Sequence, residues 1–230
     1  MSSKLIFLLT IPVLLLAACQ PAASAPAEPQ PTPQIITLSH PSELRWLGPS
    51  FNACAAETTV SVLIVDETDT PDAALYWGEP LNAPGELFQL GEETLVLVTH
   101  PDNPATGLSL SEAQRMFSGA MNSWPNGDEL TVYVLPAGNP VHEVLESALG
   151  TGIPRSVDIQ VAPSLEAMQQ YVADEPGALG VLPQGWLNNE VKSLSWEGQA
   201  LQPILGSFSG ERAEAFVRCL QRVVVEKTKQ

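Results

Sequence analysis

The sequence predicts an α/β fold with mostly parallel sheets flanked by helices. Two observations predict it. From Ile35 onward, β-rich runs alternate with segments of helical spacing, and alternation of that kind builds parallel sheets covered by helices. The run "ETLVLVTH" is apolar at consecutive positions, as a strand buried on both faces requires.

Taken in order, "IITLS" reads as a strand. "SELRWLGPSFNACAAE" carries helical spacing, interrupted at Gly48-Pro49 because proline breaks a helix interior. "TTVSVLIVDE" is a strand, and "DAALYWGEP" begins as one and ends in a turn. After "ETLVLVTH" comes the helix "SLSEAQRMFSG", with Ser109 and Glu112 as a capping box and Gly119 at its end. Strand "ELTVYVLPAG", helix "PVHEVLESALG" and strand "SVDIQVA" follow. Then come a helix capped by Ser164, the strand "ALGVLP", a last strand "LQPILGSF" and a last helix "ERAEAFVRCLQRVVVEK". No internal repeat is present.

The amino end has a different purpose. Lys4 precedes an apolar run, Leu5 to Leu16, which ends in Ala17, Ala18 and Cys19. A basic start, a short apolar core and small residues make a secretory signal. The core is shorter than the roughly 20 residues a bilayer span needs. "QPAASAPAEPQPTPQ" is a Pro/Ala tether. At about 3.1 Å per residue it reaches about 45 Å when fully extended.

The 230 residues suit one compact unit or two small lobes after the signal and tether, and 44% apolar content supports a real core. A formal charge of −16 excludes nucleic acid, whose phosphates are held by Lys and Arg, and a basic membrane-binding face. Cys54 and Cys219 are left as an even pair in an oxidising compartment, either bridged or buried as free thiols. There is no CxxC, and His40, His100 and His142 are far apart, which does not suggest a metal site. No GxSxG, HExxH, Walker loop or Rossmann glycine pattern occurs, so no catalytic residues are assigned and no cofactor is expected.

Two resemblances add to this reading. Leu16-Ala17-Ala18-Cys19 resembles the lipobox of bacterial lipoproteins. It implies cleavage after residue 18, lipidation of Cys19 and an extracytoplasmic, membrane-anchored protein at the cell surface or in the periplasm. Gln20 leaves the choice of membrane open. The stretch "VLVTHPDNPATGLSLSEAQRMFSGAMNSWP" resembles the phosphate-binding proteins of bacterial ABC transporters. The matching residues are Asn103-Pro104, Leu108 to Glu112, Phe117-Ser118-Gly119 and Asn122-Ser123-Trp124, and "GALGVLP" is similar to a later strand of that family.

The resemblance implies a two-lobed periplasmic-binding-protein-like fold. Lobe 1 would span about 35–98 and 201–230, and lobe 2 about 99–200. Cys54 and Cys219 would then share lobe 1, where a bridge would not hinder closure. The implied partners are a small anion such as phosphate and a transporter permease, with the protein a monomer. Phe117, Gly119 and Trp124 are expected to be structural.

Three turns that precede helices or follow strands would hold the anion by backbone N–H groups and hydroxyls. They are "SHPSE" with Ser39, His40 and Ser42, "YWGEP" with Glu79 in place of the family's aspartate, and "LPAGNPVHE" with Gly138 and Asn139. The family's Arg and Ser-Gly-Thr are missing from the third, and Pro140 subtracts a donor. The alternative is an interaction, assembly or sensory lipoprotein that keeps the fold and has lost phosphate binding. Trp46, Trp77, Trp186 and Trp196 would be core or the walls of an aromatic cleft.

Overall fold

The computed structural model describes residues 34–66, 70–82, 86–154, 159–198 and 200–227. The signal peptide, the lipidation site Cys19 and most of the tether lie outside the described residues.

The described chain forms one curled sheet in the order β2-β1-β3-β10-β4-β8-β6-β7, with β9 pairing β4 and β5 pairing β9. Its first part contains β1 (Gln34–Ser39), β2 (Val60–Ile64) and β3 (Ala73–Trp77), all parallel. Its far part contains β6 (Thr131–Val134), β7 (Ile159–Val161) and β8 (Ala178–Pro183), again parallel. Antiparallel pairs fill the middle, where β10 (Ala200–Phe208) lies between β3 and β4 (Phe88–Thr99). Apart from the two-residue β5–β9 pair, parallel pairing belongs to the two wings.

The centre of the design is β4. Phe88 to Leu95 pair with β10 on one edge, and Leu97 to Thr99 pair on that edge with β9 (Lys192–Trp196). On the other edge only Leu95 to Thr99 pair with a strand, β8. One strand therefore runs from the first wing into the second. Leu95, Leu97 and Val98 are fully buried, which explains the unbroken apolar run.

Among the described residues five helices flank the sheet: α1 (Gly48–Thr58), α2 (Leu110–Phe117), α3 (Pro140–Leu149), α4 (Leu165–Asp174) and α5 (Glu211–Lys227). The predicted interruption at Gly48-Pro49 is a change of helix type. Ser42–Leu47 is a 3-10 helix, and α1 restarts with Pro49 in its first turn, where a missing N–H costs nothing. The Ser109–Glu112 capping box is present on α2, and Ser164 caps α4 by accepting from the Ala167 N–H. Phe117 and Trp124 are core, the latter donating its indole N–H to the Gly177 carbonyl at 2.9 Å. Cys54 of α1 and Cys219 of α5 form a disulfide with Cα atoms 5.7 Å apart.

Three features do not show in the sequence pattern. They are β5 (Gly107–Leu108), β9, and a second 3-10 helix, Gln184–Trp186, which follows β8 alongside β4.

Candidate functional site

The three turns singled out in the sequence converge. The turn after β1 supplies Ser39, Pro41 and Glu43 to a cleft of about 620 Å³. The turn after β3 supplies Gly78 and Glu79, and the first turn of α3 supplies Pro140 and Glu143. A second hollow of about 470 Å³ shares Trp77, Gly78, Glu79, Pro140 and Glu143 with it. Strand ends and a helix start meet here because parallel strands leave their carboxyl ends, and the loops that follow them, on one edge of the sheet.

The predicted residues are not all on this surface. Ser39 and Glu79 line the cleft. His40 lies against Phe51, with ring centroids 5.2 Å apart, and its Nδ1–H donates to the Pro41 carbonyl at 2.9 Å. The Ser42 hydroxyl donates to the Glu43 carboxylate at 3.3 Å. Gly138 has φ +88, which only glycine adopts freely, so the chain can turn sharply into α3. It lines a neighbouring hollow with His142 and Glu143. Asn139 is the N-cap of α3, and its Oδ1 accepts the Val141 N–H at 2.9 Å. With Pro140 lacking an N–H, the first turn of α3 has spent two of its donor positions before any solute arrives.

The cleft's electrostatics are one-sided. Glu43, Glu79 and Glu143 line it, and no Lys or Arg does so among the described residues. Glu43 is only 2% exposed. Glu43 and Glu143 end the turns "SHPSE" and "LPAGNPVHE", beside the donors to which the sequence points. Trp77 forms part of the wall. Among the described residues no group of His, Cys, Asp and Glu is arranged to hold a metal ion, and no helix is long and apolar enough to cross a membrane.

Comparison with solved structures identifies this architecture. A protein described as a phosphate ABC transporter substrate-binding protein, from Clostridium perfringens with bound phosphate, superposes with a TM-score of 0.67. It is 14% identical, over 84% of this chain and 97% of the other. An ABC-type phosphate transport receptor from Vibrio cholerae superposes with a TM-score of 0.57 at 19% identity, over 84% and 96% of the two chains. The fold is that of the two-lobed periplasmic binding proteins.

The reduced OxyR regulatory domain from Pseudomonas aeruginosa has a TM-score of 0.61 at 14% identity, over 83% and 98%. The periplasmic-binding-protein fold is thus shared with a regulatory domain, and at these identities fold alone does not name a ligand. No family model matches the chain, and no curated protein does.

Proposed function

We propose that this chain is an extracytoplasmic, lipid-anchored solute-binding protein that holds a small polar solute between its lobes and serves an ABC transporter permease. Lobe 1 is about 35–98 and 201–230, lobe 2 about 99–200, with crossings in β4 and between β9 and β10. The carrying observation is the convergence of the turns after β1 and β3 with the start of α3 on one cleft, in a fold shared with phosphate-binding proteins. A disulfide between α1 and α5 supports an oxidising, extracytoplasmic setting.

The lining sets the solute's chemistry. Three carboxylates and no cation repel a dianion and accept hydrogen bonds, so the solute must bring donors. Among oxyanions this selects protonated forms. Ser39 adds a hydroxyl; in this reading Asn139 shapes the start of α3, while Cys19 carries the lipid. The same acidic lining favours one second reading, a sensory or interaction lipoprotein with the fold and without phosphate.

Calorimetric titration of the full chain with phosphate at pH 5.5 and pH 8 tests the proposal. The expected result is saturable heat at pH 5.5, little at pH 8, and a gain at pH 8 in Glu79→Gln and Glu143→Gln. Strong binding at pH 8 unaffected by either substitution would refute the donor requirement. No heat at either pH in ligand-free protein would favour the second reading.

A further inference from the structure

Behind the cleft, a carboxylate is buried where the two wings meet. Glu93 lies on β4, opposite Gln202 of β10, and is 3% exposed. It sits just before the stretch of β4 that pairs with β8. On that edge the second 3-10 helix takes the strand's place: the Gly185 N–H donates to Glu93 Oε1 at 2.9 Å. From the first wing, the Trp77 indole N–H donates to Glu93 Oε2 at 2.9 Å. Glu93 is thus held by donors from both wings.

The contact around it is made by the two 3-10 helices. The Trp186 indole N–H donates to the Glu43 carbonyl at 2.9 Å. The Trp46 ring lies so close to the Gly185 backbone that a Cβ there would be 2.2 Å from ring carbon Cε2. Gln169 of α4 donates to the Trp186 carbonyl at 2.6 Å, and Arg45 pairs with Glu166 of α4. The first 3-10 helix therefore belongs to the first wing by chain order and is fastened to the second by side chains.

We propose that the contact between the two 3-10 helices is a proton-operated latch between the wings, with Glu93 as its titrating group. The neutral acid holds the helices together, and the carboxylate favours their release.

The surroundings of Glu93 fix the direction. The first 3-10 helix presents the Glu43 carboxylate and Trp46, while Arg45 is directed to Glu166. β3 presents Trp77, and the second 3-10 helix presents Gly185. A cavity of about 800 Å³ reaches Glu93 and is lined by Glu92 of β4, Leu201 of β10 and Gln221 of α5, with no Lys or Arg among its described residues. Burial pushes the Glu93 carboxyl up from 4.5 to about 7, and the Glu43 charge adds to the rise. The hydrogen bonds from Gly185, Trp77 and Trp46 oppose it without cancelling it. Release admits water along the cavity and returns Glu93 toward its ordinary value. The docked form thus binds the proton more tightly, and docking is favoured at low pH. From pH 4.5 to about 7 the docking equilibrium falls by up to about 300-fold, then levels off.

Amide hydrogen exchange on the full chain, corrected for the intrinsic pH dependence of exchange, tests the latch. Protection of the Gly185 and Trp186 amides should fall by tens-fold or more between pH 4.5 and 7 and then flatten. In Glu93→Gln the profile should be flat, and in Glu43→Gln the plateau should begin at lower pH. A flat wild-type profile, or a fall that persists in Glu93→Gln, overturns the proposal. If Glu93→Gln does not fold, an unshifted profile in Glu43→Gln overturns it instead. Phosphate enters none of these measurements, so a failure here is distinct from a failure of the solute-binding reading.

Discussion

Asp72 and Glu93 are both held by hydrogen-bond donors, yet their carboxyl pKa values are pushed in opposite directions. Asp72 sits in the turn before β3, where the backbone N–H and hydroxyl of Thr37 both donate to Oδ2 at 2.8 Å. Those bonds hold its carboxyl below the usual range, with Arg212 assisting. Glu93 receives donors of similar length, but burial outweighs them. Donors lower both carboxyls, and the sign of the net shift follows from how much burial opposes them. The same donors in a dry site leave a net cost to the charge, and a site with such a cost responds to protons near neutrality.

The largest test of this contrast is the pH dependence of unfolding. A raised acid such as Glu93 lends stability below the unfolded value of 4.5, and loses it as pH rises to about 7. Two and a half pH units correspond to about 3 kcal/mol. Asp72 works the other way, its contribution being present above 3.8 and lost on acidification. Urea titrations should therefore show a stability limb that declines from pH 5 to pH 8. Glu93→Gln should flatten that limb and leave the acid limb, whereas Asp72→Asn should soften the acid limb alone. A limb that survives in Glu93→Gln would assign it to another group.

Next in size is packing at the junction. Gly185→Ala forces the Trp46 ring off the backbone it covers, and overpacking of this kind costs about 1–3 kcal/mol. Equilibrium unfolding at pH 5 would measure it, and a change near zero would mean that the ring moves freely. The smallest effect belongs to Arg45→Ala. Its ion pair with Glu166 has side chains 61% and 45% exposed, so the loss should stay below about 1 kcal/mol and shrink further in salt.

What could be read from the sequence follows the same division between local and distant causes. The α2 capping box and the Ser164 cap are written within four residues, and both are found. The run Leu95 to Val98 announces a buried strand. β9 is less visible, because "KSLSW" offers only Leu194 and Trp196 as apolar residues; pairing with β4 makes it a strand. The cleft was legible as three turns, and Ser39 and Glu79 do line it. Its sign was not legible, since Glu43 and Glu143 look like ordinary surface acids in an acidic chain. Glu93 looked like the polar start of "ETLVLVTH". The Gly185 N–H that meets its carboxylate is 92 residues away in sequence, and no local pattern carries that information.

The Cys54–Cys219 bridge makes most of the described chain a covalent ring, its closing residues separated by 165 in sequence. A protease that cuts once inside that ring opens it without releasing a fragment. Leu81, 99% exposed in the turn after β3, offers such a place. The nicked product keeps both pieces joined, and they separate only when the sulfurs are reduced. A single cut can shed material only from the tails, before residue 54 or after residue 219. For a protein whose amino tail carries the proposed lipid, the tail is thus the part that one cut can detach, while the body stays in one piece.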